Sequence, residues 1–491
     1  MSISQLNSFL NNLPKNSILN ISIDGIGKQD KSLAYLFHNS SNLKNVYKLN
    51  WTGNITSMYD LFYKCDNLTT IPNFDTSNVA SMSYMFYKCN NLTAVPNFDT
   101  SKVTDMGYMF QGCENLTKVP NFNTINVKSM VSMFSHARSS YYGNSVYMNI
   151  SSIPNFDTSN VTNMSSMLKS TNITTVPNFN TINVTDMFAM FSGCNKLTNV
   201  PNFDTSNVIN MHLMFSGCEN ITNVPNFNTS KVTNMSSMFS SCRSLIEVPN
   251  FNTIKTKYMD RMFSSCYNLT NVSNFNTSNV INMYSMFYYC YNLMKVPNFN
   301  TINVTDMSRM FSTCSNLTEI PNFNTSNVTS MDYMFDSCPH LTNIINFNTN
   351  NVIYMNNMFS WCYNLTSVPN FNTSKVTNMC GMFRYCHNLT SVPIFNTNNI
   401  TNIQNMFYNC RNISQSSVNN IVSMYANATK VTNKDWVNAG FNLTYNNNQF
   451  NTWIRIAKDY SNAVKNGWTN LGAPITASKT YNIYTGANYF A

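Results

Sequence analysis

Residues 96–119 read Pro96-Asn-Phe-Asp-Thr-Ser-Lys-Val-Thr-Asp-Met-Gly-Tyr-Met-Phe-Gln-Gly-Cys-Glu-Asn-Leu-Thr-Lys-Val119, and this 24-residue phrase recurs almost unchanged through most of the chain. Its Phe returns fourteen times from Phe74 to Phe395, and only two of the thirteen intervals, of 34 and 23 residues, differ from 24. A unit of this size cannot bury its own apolar face and must stack on its neighbours. The sequence therefore predicts a repeat solenoid.

Stacking places equivalent residues of successive coils about 4.8 Å apart, so each repeat position forms a column. Two columns three residues apart, represented by Met106 and Met109, hold 28 of the 32 methionines. Together with Phe110 they follow an i, i+3, i+4 spacing, which places them on one side of a short helical turn. A Met-rich surface can also serve as a promiscuous binding groove. A position filled in nearly every coil is what a core requires, so we expect these columns and the Val, Leu and Phe74 columns to face inward.

The Leu-Thr-x-Val part of the phrase predicts one short parallel strand per coil. Pro72 and its equivalents must lie just beyond the paired segment, because proline cannot donate to a ladder. The Asn73 and Thr76 columns are expected to turn inward and to satisfy backbone groups of neighbouring coils.

Thirteen of the fourteen cysteines, Cys65 to Cys410, form one column that only Ala137 and Thr171 interrupt. An odd number of cysteines cannot all pair, and Ala and Thr can take the same position, so the column favours free buried thiols over disulfides. Cys380 lies outside this column. Paired Cys-x-x-Cys spacing is absent and the five histidines occupy unrelated positions. We therefore expect neither a metal site nor a cofactor.

The phrases Phe-Asp-Thr-Ser-Asn-Val-Thr-Asn-Met-Ser-Ser-Met-Leu at 156–168 and Met-Phe-Ser-Gly-Cys-Glu-Asn-Ile-Thr at 214–222 resemble the BspA-like leucine-rich repeats of bacterial surface proteins. The resemblance covers roughly residues 50–413. It implies an α/β repeat solenoid, a right-handed superhelix like that of leucine-rich repeats, with a short parallel strand and a short helical turn per coil. It also implies a surface adhesin or interaction protein.

We expect three segments in the chain. Residues 1–32 form an N-terminal cap, residues 33–413 form the solenoid of about sixteen coils, and residues 414–491 form a C-terminal cap and tail, because repeat arrays shield their open ends with atypical units. The interval of 34 contains a ten-residue insertion near 138–149. Insertions into solenoids project as loops, and the alternative for this one is an irregular coil without a partner.

Composition excludes several classes of function. The formal charge of +9 comes from scattered Lys and Arg without a run of like charges, so we expect no nucleic-acid partner. No segment approaches the ~18 apolar residues that span a bilayer, so we expect no membrane insertion. The sequence has no phosphate loop, no recurring carboxylate pair and no nucleophile signature, which indicates that the protein is not an enzyme.

Two groups of aromatic residues are candidates for partner binding. The first is in the insertion, and tyrosines there suit recognition because they offer contact area at low entropic cost. The second flanks the cysteine column in the later coils, where clustered aromatic residues mark contact surfaces or else simply cover the rod. The candidates are Tyr141, Tyr142, Tyr147, Tyr267, Tyr288, Tyr289, Tyr291, Trp361, Tyr363, Tyr385 and His387.

These features favour a non-enzymatic extracellular binding or structural protein whose partner is a protein or a cell-surface glycan. The missing export signal and the Asn-rich composition favour a bacteriophage virion component, such as a fibre or decoration protein bound to other virion proteins, over a bacterial cell-surface adhesin. An intracellular interaction scaffold is the third possibility, since free cysteines permit it.

Overall fold

The computed structural model describes residues 8–9, 12, 19–26, 31–51, 53–136 and 147–432. The chain divides into two compact units, Met1–Lys255 (unit 1) and Thr256–Ala491 (unit 2). Each unit is built from the same stacked coils, so the repeat solenoid predicted from the sequence is the architecture of both.

Regular strands and helices of the described residues lie near the ends of the repeats. Strand β1 spans Leu19–Ile26 and pairs in parallel with strand β2, Leu43–Trp51. Helix α1 spans Gln415–Asn427 in unit 2 and begins at Ser414, whose hydroxyl accepts the backbone N–H of Ser417. Several hydrogen bonds attach α1 to the preceding coils; among them, the Ser417 hydroxyl accepts the backbone N–H of Val392 at 2.9 Å, and the Thr397 hydroxyl donates to the Met424 carbonyl at 2.6 Å.

Parallel pairing within the repeats occurs chiefly one residue before the first Met of each coil. In unit 1 a continuous ladder runs from Ser57 through Ser81 and Asp105 to Asn234, and in unit 2 another runs from Tyr258 to Asn402. The predicted position of the strand, Leu-Thr-x-Val, is therefore wrong for most coils. That stretch makes few bridges, such as Asn45 with Thr70 and Ser367 with Ser391.

The segment from the first Met to Cys is a series of overlapping β-turns and not the predicted helical turn. In the coil 82–89, Met85 N–H donates to the Met82 carbonyl and Cys89 N–H to the Phe86 carbonyl. Tyr84 and Lys88 have φ of 58° and 56°, left-handed values that a helix cannot contain. Alternate N–H groups instead donate to the next coil, as Phe86 does to the Met109 carbonyl at 2.9 Å.

The interior agrees with the predicted columns. Met106, Met130 and Met187 have no exposed surface in unit 1, and neither do Met307 and Met310 in unit 2. The Phe side chains stack in register, with ring centroids 5.6 Å apart for Phe287 and Phe311 and 5.7 Å for Phe311 and Phe335. Burial of such side chains contributes about 1.5–3 kcal/mol each.

Of the two polar columns, the Thr column behaves as predicted and the Asn column does not. Thr100 and most of its buried equivalents donate their hydroxyls to a carbonyl of the next coil, as Thr325 does to Asn348 at 2.9 Å, whereas the buried Thr76 hydroxyl has no hydrogen-bond partner. Asn73 and Asn97, in contrast, are exposed. The inward prediction for this Asn column is wrong, because another Asn of the phrase bridges the coils: Asn126 Nδ2 donates to the Ser101 carbonyl at 2.7 Å.

All fourteen cysteines are free thiols, and Cys380 alone is not fully buried. The column thiols donate to the carbonyl of the Phe in the preceding coil, as Cys89 does to Phe62 and Cys314 to Phe287. This fixed bonding explains why a small donor recurs here; at Thr171 a hydroxyl occupies the position and donates to the Leu168 carbonyl.

The predicted segments 1–32, 33–413 and 414–491 remain a prediction. Most of the expected N-terminal cap and of the C-terminal cap and tail lies outside the described residues, and so do residues 137–146 of the insertion. The coil count and the handedness of the superhelix likewise stay predictions.

Candidate partner-binding surface

The segment from the first Met to just after Cys has inward residues that hardly change between coils and other residues that vary. We call the surface formed by the variable residues the turn face. In the coil 82–89 the buried residues are Met82, Ser83, Met85, Phe86 and Cys89, whereas Tyr84, Tyr87, Lys88 and Asn90 are half-buried and Asn91 is exposed. Nine of the eleven candidate residues belong to this face or to the insertion beside it; Tyr141 and Tyr142 lie outside the described residues. The turn face is thus the surface on which the sequence varies while the interior stays constant.

The Tyr288 cluster consists of Tyr267, Tyr288, Tyr289 and Tyr291 in unit 2, all half-buried. Centroids of the Tyr267 and Tyr291 rings are 4.9 Å apart, and those of Tyr288 and Tyr289 are 4.2 Å apart. Burial and a hydrogen bond with Tyr289 raise the pKa of Tyr288 to about 12, while the charges of Arg309 and Asp336 act on it in opposite directions. The Tyr288 cluster is an uncharged aromatic patch, and the opposite charges of Arg309 and Asp336 lie near it.

The Trp361 cluster consists of Trp361, Tyr363, Tyr385 and His387, which the structure brings together with Arg384 and Tyr408. Trp361 stacks on Tyr385 with centroids 4.0 Å apart, and Tyr363 meets Trp361 edge-on at 5.8 Å. His387 lies 4.9 Å from Tyr363, and both its burial and the charge of Arg411 lower its pKa. Trp361 is 37% exposed, whereas the other three members are half-buried.

The remaining described candidate, Tyr147, is half-buried in unit 1 just before the coil that contains Met148. Met148 pairs in parallel with Thr171, and the next residue, Asn149, donates its N–H to the Glu114 carbonyl at 3.0 Å. Tyr147 therefore lies where the chain re-enters the regular ladder. Its role in binding remains a prediction.

The sequence analysis missed an aromatic group on the turn face of unit 1. Tyr63 stacks between His38 and Tyr87 with both centroid distances at 4.6 Å, and Tyr84 stacks on Tyr108 at 4.4 Å. The signal was present in the columns, since Tyr63, Tyr87 and Tyr288 occupy equivalent positions of their coils. Reading every column from the first coil onward finds this group.

Asp60 lies among these rings and is buried. Its Oδ2 is 3.6 Å from His38 Nδ1, and its Oδ1 has no hydrogen-bond partner. Burial raises the pKa of Asp60 to about 6, and burial followed by the charge of Lys64 lowers the pKa of His38. Near neutral pH the carboxylate is thus charged and the imidazole beside it is neutral, so this pair is a weak one.

Arg384 is the second residue that sequence reasoning missed. Its guanidinium lies 5.2 Å from the centroid of the Tyr385 ring and 5.6 Å from that of Tyr408 in the next coil. Its Nε is buried and makes no hydrogen bond. Arg384 is the one Arg in a column that holds mostly Ser and Tyr, with Gln111, Lys169 and Asp336 in other coils, so no sequence pattern points to it.

The described residues contain no group of three or more His, Cys, Asp or Glu side chains arranged to hold a metal ion. Burial raises the pKa of the column thiols, such as Cys113, and also that of the half-buried Cys380, which disfavours the nucleophilic thiolate. Among the helices of the described part, none has the length and apolar character to cross a bilayer.

The model of the family described as "Mycoplasma protein of unknown function, DUF285" matches this chain in overlapping stretches that extend over most of its length. The matched residues are 31–142, 139–247, 193–295, 218–319, 291–367, 315–420 and 340–466. The chain belongs to this family. No curated protein matches it.

Solved leucine-rich repeat structures are similar to this chain at low identity. A leucine-rich repeat protein from Eubacterium ventriosum has 14% identity over 77% of this chain and 87% of its own, with a TM-score of 0.30. A leucine-rich cell surface protein from Faecalibacterium prausnitzii has 15% identity over 78% and 80%, with a TM-score of 0.25. An internalin from Listeria monocytogenes has 12% identity over 79% and 93%, with a TM-score of 0.22. At these TM-scores the similarities carry no argument about function.

Proposed function

We propose that this chain is a non-enzymatic binding scaffold that holds a protein partner on its turn face, with the Trp361 cluster as the main contact. One observation carries the proposal: Trp361 keeps 37% of its surface exposed although it is stacked at 4.0 Å on Tyr385. Trp, Tyr and Arg are the residues that dominate protein interfaces. Rings already fixed by their neighbours lose little conformational entropy when a partner binds.

The repeat interior supports this role. Trp361 and Tyr385 occupy left-handed positions with φ of 60° and 59°, and their N–H groups donate to the next coil at 2.7 and 2.8 Å. The backbone under both rings is thereby held by the ladder. A binding surface built on such a support is rigid, and its side chains can change without change to the core.

For the biological setting we propose the surface of a bacterial cell, with repeats of the BspA-like type. The family description names a bacterial genus, which favours a bacterial protein over the virion component expected from the sequence. The virion and the intracellular scaffold remain the alternatives. Immunogold imaging of intact cells tests the setting: label at the cell boundary supports it, and label confined to the cytosol or to released particles contradicts it.

The binding role is tested by selecting peptides from a displayed random library against the full chain and measuring their affinity for two variants. Trp361→Ala is expected to weaken binding of the selected peptides at least about tenfold, as a central interface Trp does. Tyr354→Ala is the matched control, since Tyr354 is 46% exposed in the same unit but belongs to the parallel ladder and not to the cluster. Equal losses in both variants, or none, would contradict the role of the cluster. If the chain binds glycans but selects no peptide from the library, its partner is a carbohydrate and not a protein.

A further inference from the structure

The charged residues in the sequence around the Trp361 cluster are mostly basic, and one acid, Asp336, lies half-buried one coil before Trp361, where it hydrogen-bonds to Ser360. Between Asp336 and Asp435 the sequence has no Asp or Glu, while Lys375, Arg384, Arg411 and Lys430 all fall in that stretch. Arg411 is exposed, its Nε donates to Asn409 Oδ1 at 2.9 Å, and its charge acts on His387 of the cluster. Among the described residues, neither arginine has a carboxylate within ion-pair distance.

Arg309 in the same unit has acidic neighbours in the described part of the chain, although none of their carboxylates lies within ion-pair distance of it. Its guanidinium also lies over a Tyr of the next coil, 4.7 Å from the Tyr333 centroid. Burial raises the pKa of the half-buried Asp332 and Asp336, and the charge of Arg309 acts against that rise in both. Arg384 has the same ring contact with Tyr408 but no acid beside it. Arg384 in the Trp361 cluster therefore lacks the acidic neighbours that Arg309 has.

We infer that the Trp361 cluster binds an acidic protein segment, whose Asp or Glu carboxylates pair with Arg384 and Arg411 while its apolar groups contact Trp361. This inference deepens the proposed function and rests on it. A guanidinium offers several N–H donors in a planar fork that matches a carboxylate, and its stacking on Tyr385 and Tyr408 fixes that fork in advance.

An acidic peptide fits the ring geometry better than an acidic polysaccharide does. Sugars bind aromatic residues through open ring faces, but one face of Trp361 is stacked on Tyr385, and Tyr385 is also contacted by the Arg384 guanidinium. The face of Trp361 that is stacked on Tyr385 is therefore closed to a sugar, whereas ring edges and guanidinium N–H groups are available to a partner. Carboxylates bind to these groups, since the edge of an aromatic ring carries the positive end of its quadrupole.

The test measures binding of a fluorescent oligoglutamate peptide to the full chain, with an oligolysine peptide and heparin as the other probes. We expect oligoglutamate to bind, oligolysine not to bind, and affinity to fall as salt is raised. Arg384→Gln is expected to weaken oligoglutamate binding about tenfold, the effect of one charge-assisted hydrogen bond. Arg384→Lys keeps the charge and is expected to recover part of that loss.

Lys375→Gln is the matched control, because it removes the same charge in the same unit at a site where Nζ donates to Asn351 Oδ1 away from the cluster. Equal losses in Arg384→Gln and Lys375→Gln would overturn the inference, since they would reflect net charge alone. Heparin binding that depends on Arg384, without oligoglutamate binding, would overturn it in favour of a glycan. If library peptides depend on Trp361 but show no acidic bias and tolerate Arg384→Gln, the inference fails while the proposed function stands.

Discussion

The interior columns and the turn face are made by the same stretch of each coil, yet they follow opposite rules. In the coil 306–314, Met307, Met310, Phe311 and Cys314 are fully buried and match their equivalents in neighbouring coils. Between them lie Arg309 and Thr313, whose equivalents one coil later are Tyr333 and Ser337. The interior must match in every layer because each side chain packs against its own copy. The turn face has no such constraint, so it can specify a partner.

The largest effect is expected from a charge in the interior. Met310→Lys places an ammonium among fully buried Met and Phe side chains and should lower the free energy of unfolding by at least about 4 kcal/mol. Met294→Lys is the control, since Met294 is 55% exposed in the same unit. Urea denaturation measures both. Similar midpoints for the two variants would mean that the Met columns are not the core.

A smaller loss is expected where the interior column is polar. Thr325→Val removes a hydroxyl that donates to the Asn348 carbonyl at 2.9 Å and leaves that carbonyl without its partner, at a cost of about 2 kcal/mol. Thr329→Val is isosteric and removes an exposed hydroxyl bond to Thr305, so it should cost less than about 0.5 kcal/mol. Equal urea midpoints would assign the buried Thr column no role in joining coils.

On the turn face, Asp332 is expected to make stability depend on pH. Burial raises its pKa to about 6, so the folded state holds this proton more tightly than the unfolded state, whose carboxyl has its ordinary pKa of 3.8. Stability is therefore lost as pH rises from about 4 to 6 and is not regained above. Asp332→Asn should stabilise by about 1 kcal/mol at pH 8, after allowance for solvent screening, and by almost nothing at pH 4.

Thermal denaturation at the two pH values checks this prediction, with the exposed Glu319→Gln as the control. A gain for Asp332→Asn that is equal at both pH values would show that the carboxylate charge is not its cause.

The smallest effect concerns the backbone of the turn face. Thr313 is β-branched and has a φ of 64°, a left-handed value that is strained for such a residue. Glycine occupies equivalent positions at Gly193 and Gly217 in unit 1. Thr313→Gly should therefore raise the free energy of unfolding by roughly 0.5 kcal/mol, whereas the exposed Thr342→Gly should lower it slightly. Urea midpoints that fall in both variants would contradict a strained backbone at Thr313.

The sequence predicted which side chains are buried better than it predicted the backbone that buries them. The spacing Met106, Met109, Phe110 satisfies a helical turn and also a series of overlapping β-turns, so periodicity alone cannot choose between them. The turns depend on left-handed residues at Tyr108 and Gly112. Glycine at Gly112 is consistent with a left-handed residue and so indicated a turn. Tyr108 gave no such indication, because Tyr adopts this conformation only where the ladder imposes it.

The candidate surface was predicted in part. Tyr288, Trp361 and Tyr385 were found because aromatic residues at the two positions before the cysteine column stand out from the smaller side chains in many other coils. Their stacking and the exposure of Trp361 depend on the distance between coils and on side-chain conformation, which the sequence does not contain. The role of Arg384 depends on which side chains lie near it in the described part of the folded chain, none of which is acidic. A pattern of residues along the sequence cannot show this.

The buried thiol column also makes it possible to follow the unfolding of individual coils by the accessibility of their cysteines. In the folded chain only Cys380 is partly accessible, and the other thirteen thiols are sealed and hydrogen-bonded within the coils. A thiol-reactive dye should therefore label one site quickly and the others only as coils separate. Mapping the labelled cysteines over time would report, coil by coil, where along the chain the stack comes apart first.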